Sequence, residues 1–186
     1  MSDRVNDRAR KMEELFFKKQ DVELLERMRA ERADKEISDQ LMAASGIDNG
    51  PVIDALVSVG VTADSMTSVA MIPLVFVAWA DRQMEDTEKV AILSAAASVG
   101  IKEGTASYQL LATWLEHRPD HHLLDAWKGY IAAVQDKIEV AAGTQLKNSV
   151  LGRAEEVAKA AGGFLGLGNK ISDVERNVLD DLSAAF

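Results

Sequence analysis

The chain has 186 residues, of which 47% are apolar and only 5% aromatic, and its formal net charge is −9. So much apolar content excludes a chain disordered throughout, and the lack of any cysteine excludes a disulfide framework, a thiolate nucleophile and a zinc–thiolate site. The acidic surplus repels phosphate charge, so no nucleic-acid partner is expected.

Taken in chain order, residues 3–35 form a dense mixed-charge segment of good helix formers. Residues 1–36 hold ten Lys/Arg and ten Asp/Glu, so the remaining 11 basic and 20 acidic residues account for all of the net charge. The pairs Glu14–Lys18, Glu23–Arg27 and Glu31–Lys35 stand four apart in the favourable order, each worth roughly 0.2–0.5 kcal/mol in a helix. Apolar residues are sparse there. Met12, Leu15 and Phe16 share one face, and Leu24, Leu25 and Met28 make a second cluster. This pattern predicts a long exposed helix with a narrow sticky stripe. The start of the chain has no apolar stretch of the kind a signal peptide needs. The longest apolar run, Val69 to Ala80, is interrupted by Pro73 and is too short for a bilayer span. A cytoplasmic protein without a membrane span is therefore expected.

Beyond residue 36 the text reads as short helices at 37–45, 51–59, 64–80, 85–99, 105–117, 121–141, 145–161 and 173–184, after a first helix at 3–34. Three of them stop alike: Ser45-Gly46-Ile47, Val59-Gly60-Val61 and Val99-Gly100-Ile101 each put Gly before a β-branched residue. That is the signature of a left-handed Gly terminating a helix while an apolar residue folds back onto it. Pro73 should kink or split the helix at 64–80. The Gly-rich stretch 162–168 reads as a loop. It lacks the spacing of a phosphate-binding loop. Pro119 separates His117 from His121 and His122, so they share no helical face as zinc ligands would. Asp120 reads as the cap of the following helix. Trp79, Trp114 and Trp127 fall on apolar helices as core anchors. No set of side chains offers a nucleophile with its base, so a non-enzymatic protein is expected.

An internal echo is present. Met84-Glu85-Asp86-Thr87-Glu88 lines up with Ile171-Ser172-Asp173-Val174-Glu175, each an apolar residue, a cap, an Asp and a Glu three residues after the cap. Ser172 to Glu175 is a capping-box pattern, and acids in a first turn also suit the helix dipole. The string Ala78-Trp79-Ala80-Asp81…Met84…Glu88, with Gly168-Asn169-Lys170-Ile171-Ser172…Glu175, resembles the tellurite-resistance TerB-like family over residues 64–186. That family repeats an Ala-Asp-Gly-x-Ile-(Ser/Asp)-x-x-Glu element at a helix–turn–helix join. The resemblance implies an all-helical bundle of two related halves and acidic turns that hold a divalent cation. Arg82 stands where the family has Gly, and Gly168 where its second element has Asp. The acid pair therefore survives at the first turn, where Asp81, Glu85 and Glu88 are the candidate ligands, with Asp173 and Glu175 in support. A hard cation such as Ca²⁺ takes six to eight oxygens.

A second resemblance concerns the N-terminal segment. Phe17-Lys18-Lys19…Leu24-Leu25…Arg29-Ala30-Glu31-Arg32…Gln40-Leu41-Met42-Ala43-Ala44-Ser45-Gly46-Ile47 is similar to the opening of zeta-type ATP-synthase inhibitor subunits, small helical proteins whose charged first helix reaches into a rotary motor. It implies an ATPase-inhibitor-like regulator.

Taken together, the expectation is an all-α protein with a charged helical arm, 1–36, and a multi-helix bundle domain, 37–186. The arm cannot bury enough apolar surface alone. It should dock a protein partner, or self-associate, through Phe16, Phe17, Leu24, Leu25 and Met28.

Overall fold

In a computed structural model, residues 2–161 and 171–186 are described, with side chains described outside 2–18, 21 and 161. The described residues hold eight α-helices and a 3-10 segment, and no strand. The helices are α1 (Ser2–Ser45), α2 (Gly50–Ser58), α3 (Ile72–Ala78), α4 (Asp86–Ser98), α5 (Ala106–Glu116), α6 (His121–Gln135), α7 (Val140–Ala161) and α8 (Asp173–Ser183), with the 3-10 segment at Ala63–Met71 between α2 and α3.

The glycine endings follow the expected geometry. Gly60 and Gly100 both have φ of 86°. After each, the next amide donates back across the helix end, Val61 N to Leu56 O and Ile101 N to Ala96 O, both at 3.0 Å. That is the full Schellman closure, and it buries Val61 and Ile101. At the end of α1, Gly46 donates to Met42 O at 3.0 Å. The Ile47 amide donates to Ser45 Oγ at 3.2 Å instead of reaching back, which is the simpler left-handed ending.

Pro73 marks the split of the fourth expected helix. Ala63–Met71 winds as a 3-10 helix, and α3 begins at Ile72 with Pro73 in its first turn. There proline lacks no bond that a helix would supply. The result is a short helix with almost no solvent face. Ile72, Pro73, Leu74, Val75, Val77 and Ala78 are all buried. Each of the four large aliphatic side chains among them contributes roughly 1.5–3 kcal/mol of burial. Around α3 stand α4, α6, α7, α8 and the 3-10 segment; α5 covers the 3-10 segment, and α2 lies on α6. No single helix among the described residues is long and apolar enough to cross a membrane.

Two expected boundaries are corrected. The helices expected at 3–34 and 37–45 are one continuous α1 of 44 residues. A change in composition does not stop a helix when both sides are good helix formers. The break expected near Gly143 falls instead at 136–139, and Gly143 lies inside α7. A Cβ there would stand 3.3 Å from Gln135 Oε1. The glycine thus allows the start of α7 to approach the end of α6, rather than marking a turn.

Candidate functional site

The arm is the first candidate. α1 meets the body at its C-terminal end, where Leu41 is fully buried and Met42 packs against the core. The junction is tied by Ser38 Oγ donating to Asp54 Oδ1 at 3.0 Å and by Lys137 Nζ donating to Gly46 O at 2.6 Å. N-terminal to this anchor, every described residue from Lys19 to Glu36 is exposed. Val22, Leu24 and Leu25 each show 53% of their surface and Met28 43%. Phe16 and Phe17 lie in α1, but their side chains fall outside the described residues, as does Glu14–Lys18. On the described part of the arm the ion pair is Lys19–Glu23 at 3.8 Å, rather than Glu23–Arg27 or Glu31–Lys35.

The twin acidic turns are the second candidate. Before α4, Arg82 has φ of 71°, so the residue that replaces the Gly of the resemblance keeps the left-handed backbone that glycine favours. Asp81 Oδ1 accepts the Gln83 amide at 2.8 Å, and Glu88 Oε2 accepts the Glu85 amide at 2.8 Å. The capping bond recurs at the start of α8: Glu175 Oε2 accepts the Ser172 amide at 2.6 Å, and Ser172 Oγ accepts the Glu175 amide at 3.2 Å. Both third-position glutamates are buried, Glu88 at 3% and Glu175 at 7% exposure.

The echo extends to packing. α3 leads into α4 as α7 precedes α8. α3 lies on both α7 and α8, and α7 on both α3 and α4. The exchange brings the two turns close enough for Glu175 to act on the Glu88 carboxyl. Burial pushes that carboxyl up to about 7, with the charges of Asp81, Glu85 and Glu175 adding to it and the Glu85 amide opposing.

The candidate ligands are not gathered. Asp81 and Glu85 are exposed and Glu88 faces inward. Among the described residues no three acidic or imidazole side chains are placed to hold a metal ion.

The remaining polar constellation is the α5–α6 connection. Asp120 caps α6 by accepting the His122 amide at 3.0 Å, and that bond holds its carboxyl below the usual range. Arg118, Asp120, His121 and Asp181 line a cleft of about 500 Å³ beside Phe76. Its charges are of both signs, and nothing there pairs a nucleophile with a base. Of the tryptophans, Trp114 and Trp127 are buried and Trp79 donates its Nε1–H to Trp114 O at 2.8 Å, so they are fixed in the interior.

No known relative decides between these candidates. No family model, curated protein or solved structure matches the chain. The burial of Glu88 and Glu175 had no signal in the sequence, because a capping-box glutamate normally faces solvent and only the exchange of helix partners encloses these two.

Proposed function

We propose that this chain is a non-enzymatic helical interaction module that docks through the N-terminal part of α1. The observation that carries this is the row Val22, Leu24, Leu25 and Met28, about half exposed on a helix whose described side chains meet the body from Ser38 onward. Exposed aliphatic side chains on one stretch of a rigid helix are the anchors used in helix-in-groove recognition. The test is capture from cell lysate by the full chain and by a variant lacking residues 1–36, read by mass spectrometry. A partner lost with the arm is the expected result. A partner retained by the body alone moves the docking surface onto the bundle and overturns the reading.

A second reading is a divalent-cation-binding protein of the TerB-like type, with Asp81, Glu85 and Glu88 as ligands. It is favoured by the approach of Glu175 to Glu88, which concentrates negative charge between the two turns. Binding would require the exposed Asp81 and Glu85 to swing toward Glu88. Calorimetry with Ca²⁺, Mg²⁺ and Mn²⁺ tests it, and no heat at high micromolar metal dismisses it.

A further inference from the structure

The charges of the arm are ordered about its apolar row. Residues 20–26 hold Asp21, Glu23 and Glu26 and no base, whereas residues 27–33 hold Arg27, Arg29 and Arg32 against the single acid Glu31. The arm as a whole is balanced, but its two halves are opposite. α1 runs through both without a break, so helical spacing decides which positions share a face. Asp21, Leu25, Met28 and Arg32 stand four, three and four residues apart, the spacing of a coiled-coil seam. They form one stripe, acidic at one end, apolar in the middle and basic at the other. We propose that this stripe pairs antiparallel with the same stripe of a second copy of this chain, Leu25 of each copy opposite Met28 of the other and Asp21 opposite Arg32. This rests on the reading of the arm as the docking element and names its partner.

Three observations select this occupant. The first is self-complementarity. About a two-fold axis between residues 26 and 27, the stripe meets its own complement and every contact occurs twice. Parallel pairing would instead set Asp21 against Asp21 and Arg32 against Arg32. A balanced arm suits this pairing, because each half neutralises the opposite half of the other copy. The second is that the groups are unspent. Leu25 and Met28 are exposed. The arm's ion pair is Lys19–Glu23, which leaves Arg27, Arg29 and Arg32 with none among the described residues. The third is room for both bodies. Leu41, where α1 is buried against its own body, lies about fifteen residues from the axis, roughly 22 Å along a helix. Antiparallel arms carry the two bodies to opposite ends of the pair. The assembly is complete at two chains, since each stripe is used up by the other.

The test is sedimentation equilibrium of full-length chains, and the parent is expected to associate to a dimer. Because the axis repeats each contact, Asp21→Arg or Arg32→Glu turns two attractions into two repulsions. Each alone is expected to weaken the dimer about tenfold. The chain carrying both substitutions exchanges the ends of the stripe and is expected to regain the parent's association. An equimolar mixture of the two single variants is expected to form a mixed dimer of similar strength. Single variants that associate as tightly as the parent would overturn the proposal, and parallel arms would give that result. So would a double variant no better than the single ones, or a dimer that survives removal of residues 1–36. A parent that stays monomeric at high micromolar concentration also overturns it; if the arm-deleted chain then still loses a captured partner, this inference falls and the docking reading stands.

Discussion

At the scale of single residues, two side chains hold conformations that chemistry disfavours. Glu88 is buried with its carboxyl raised from 4.5 to about 7. The folded chain therefore keeps a proton that the unfolded chain releases, and stability falls as pH rises from about 4.5 to about 7, then levels off. The ceiling of this effect is about 3 kcal/mol, at about 1.4 kcal/mol per unit. Glu88→Gln keeps an oxygen for the Glu85 amide and removes the charge. Urea unfolding should find it as stable as the parent near pH 4, more stable at pH 8, and without the decline between. Arg82, at φ of 71°, is strained in the left-handed region by about 1–2 kcal/mol. Part of any relief in Arg82→Gly goes to the greater freedom of the unfolded glycine, so a gain of about 0.5 kcal/mol is expected in thermal unfolding. Gly60→Ala is the converse. Its new Cβ would meet only Leu110 Cδ1, at 3.9 Å, so the expected loss of about 1–2 kcal/mol is purely backbone strain.

At the scale of elements, punctuation was legible and continuity was not. Gly60 and Gly100 could be read in advance because a left-handed residue is written into the sequence as glycine, and Ser172-Asp173-Val174-Glu175 because a capping box is a local device. The end of α6 was not legible: Gln135-Asp136-Lys137-Ile138-Glu139 contains no Gly or Pro, and the glycine that seemed to mark the break, Gly143, serves helix approach. The candidate acids were legible as a cluster in sequence. Their separation into exposed Asp81 and Glu85 and enclosed Glu88 was not, because it depends on α7 and α8, about 50 to 90 residues away in the chain. The arm and its anchor can be separated experimentally. Removing residues 1–36 takes away no buried side chain among those described and should leave the melting temperature nearly unchanged. Leu41→Ala, which empties a fully buried site, should cost about 2–5 kcal/mol. A deletion to residue 36 that unfolds the body would refute the division.

At the scale of the whole molecule, the last helix closes the structure. Lys128 Nζ lies 2.7 Å from Asp181 Oδ1, Lys147 Nζ donates to Ser183 O at 2.8 Å, and the Phe186 ring meets Trp127 edge-on at 5.9 Å. Phe186→Ala should cost about 1 kcal/mol and alter the near-ultraviolet circular dichroism of Trp127. The enclosure of α3 has a further consequence, for the order of events during synthesis. The most apolar segment leaves the ribosome before α6, α7 and α8, which will surround it, have been made. Until α7 and α8 have been made, Ile72–Ala78 has only the 3-10 segment, α4 and α6 against it, and a nascent chain stalled before α7 should recruit chaperones or aggregate. Arrival of α7 and α8 together is then the step that commits the polypeptide to its native state.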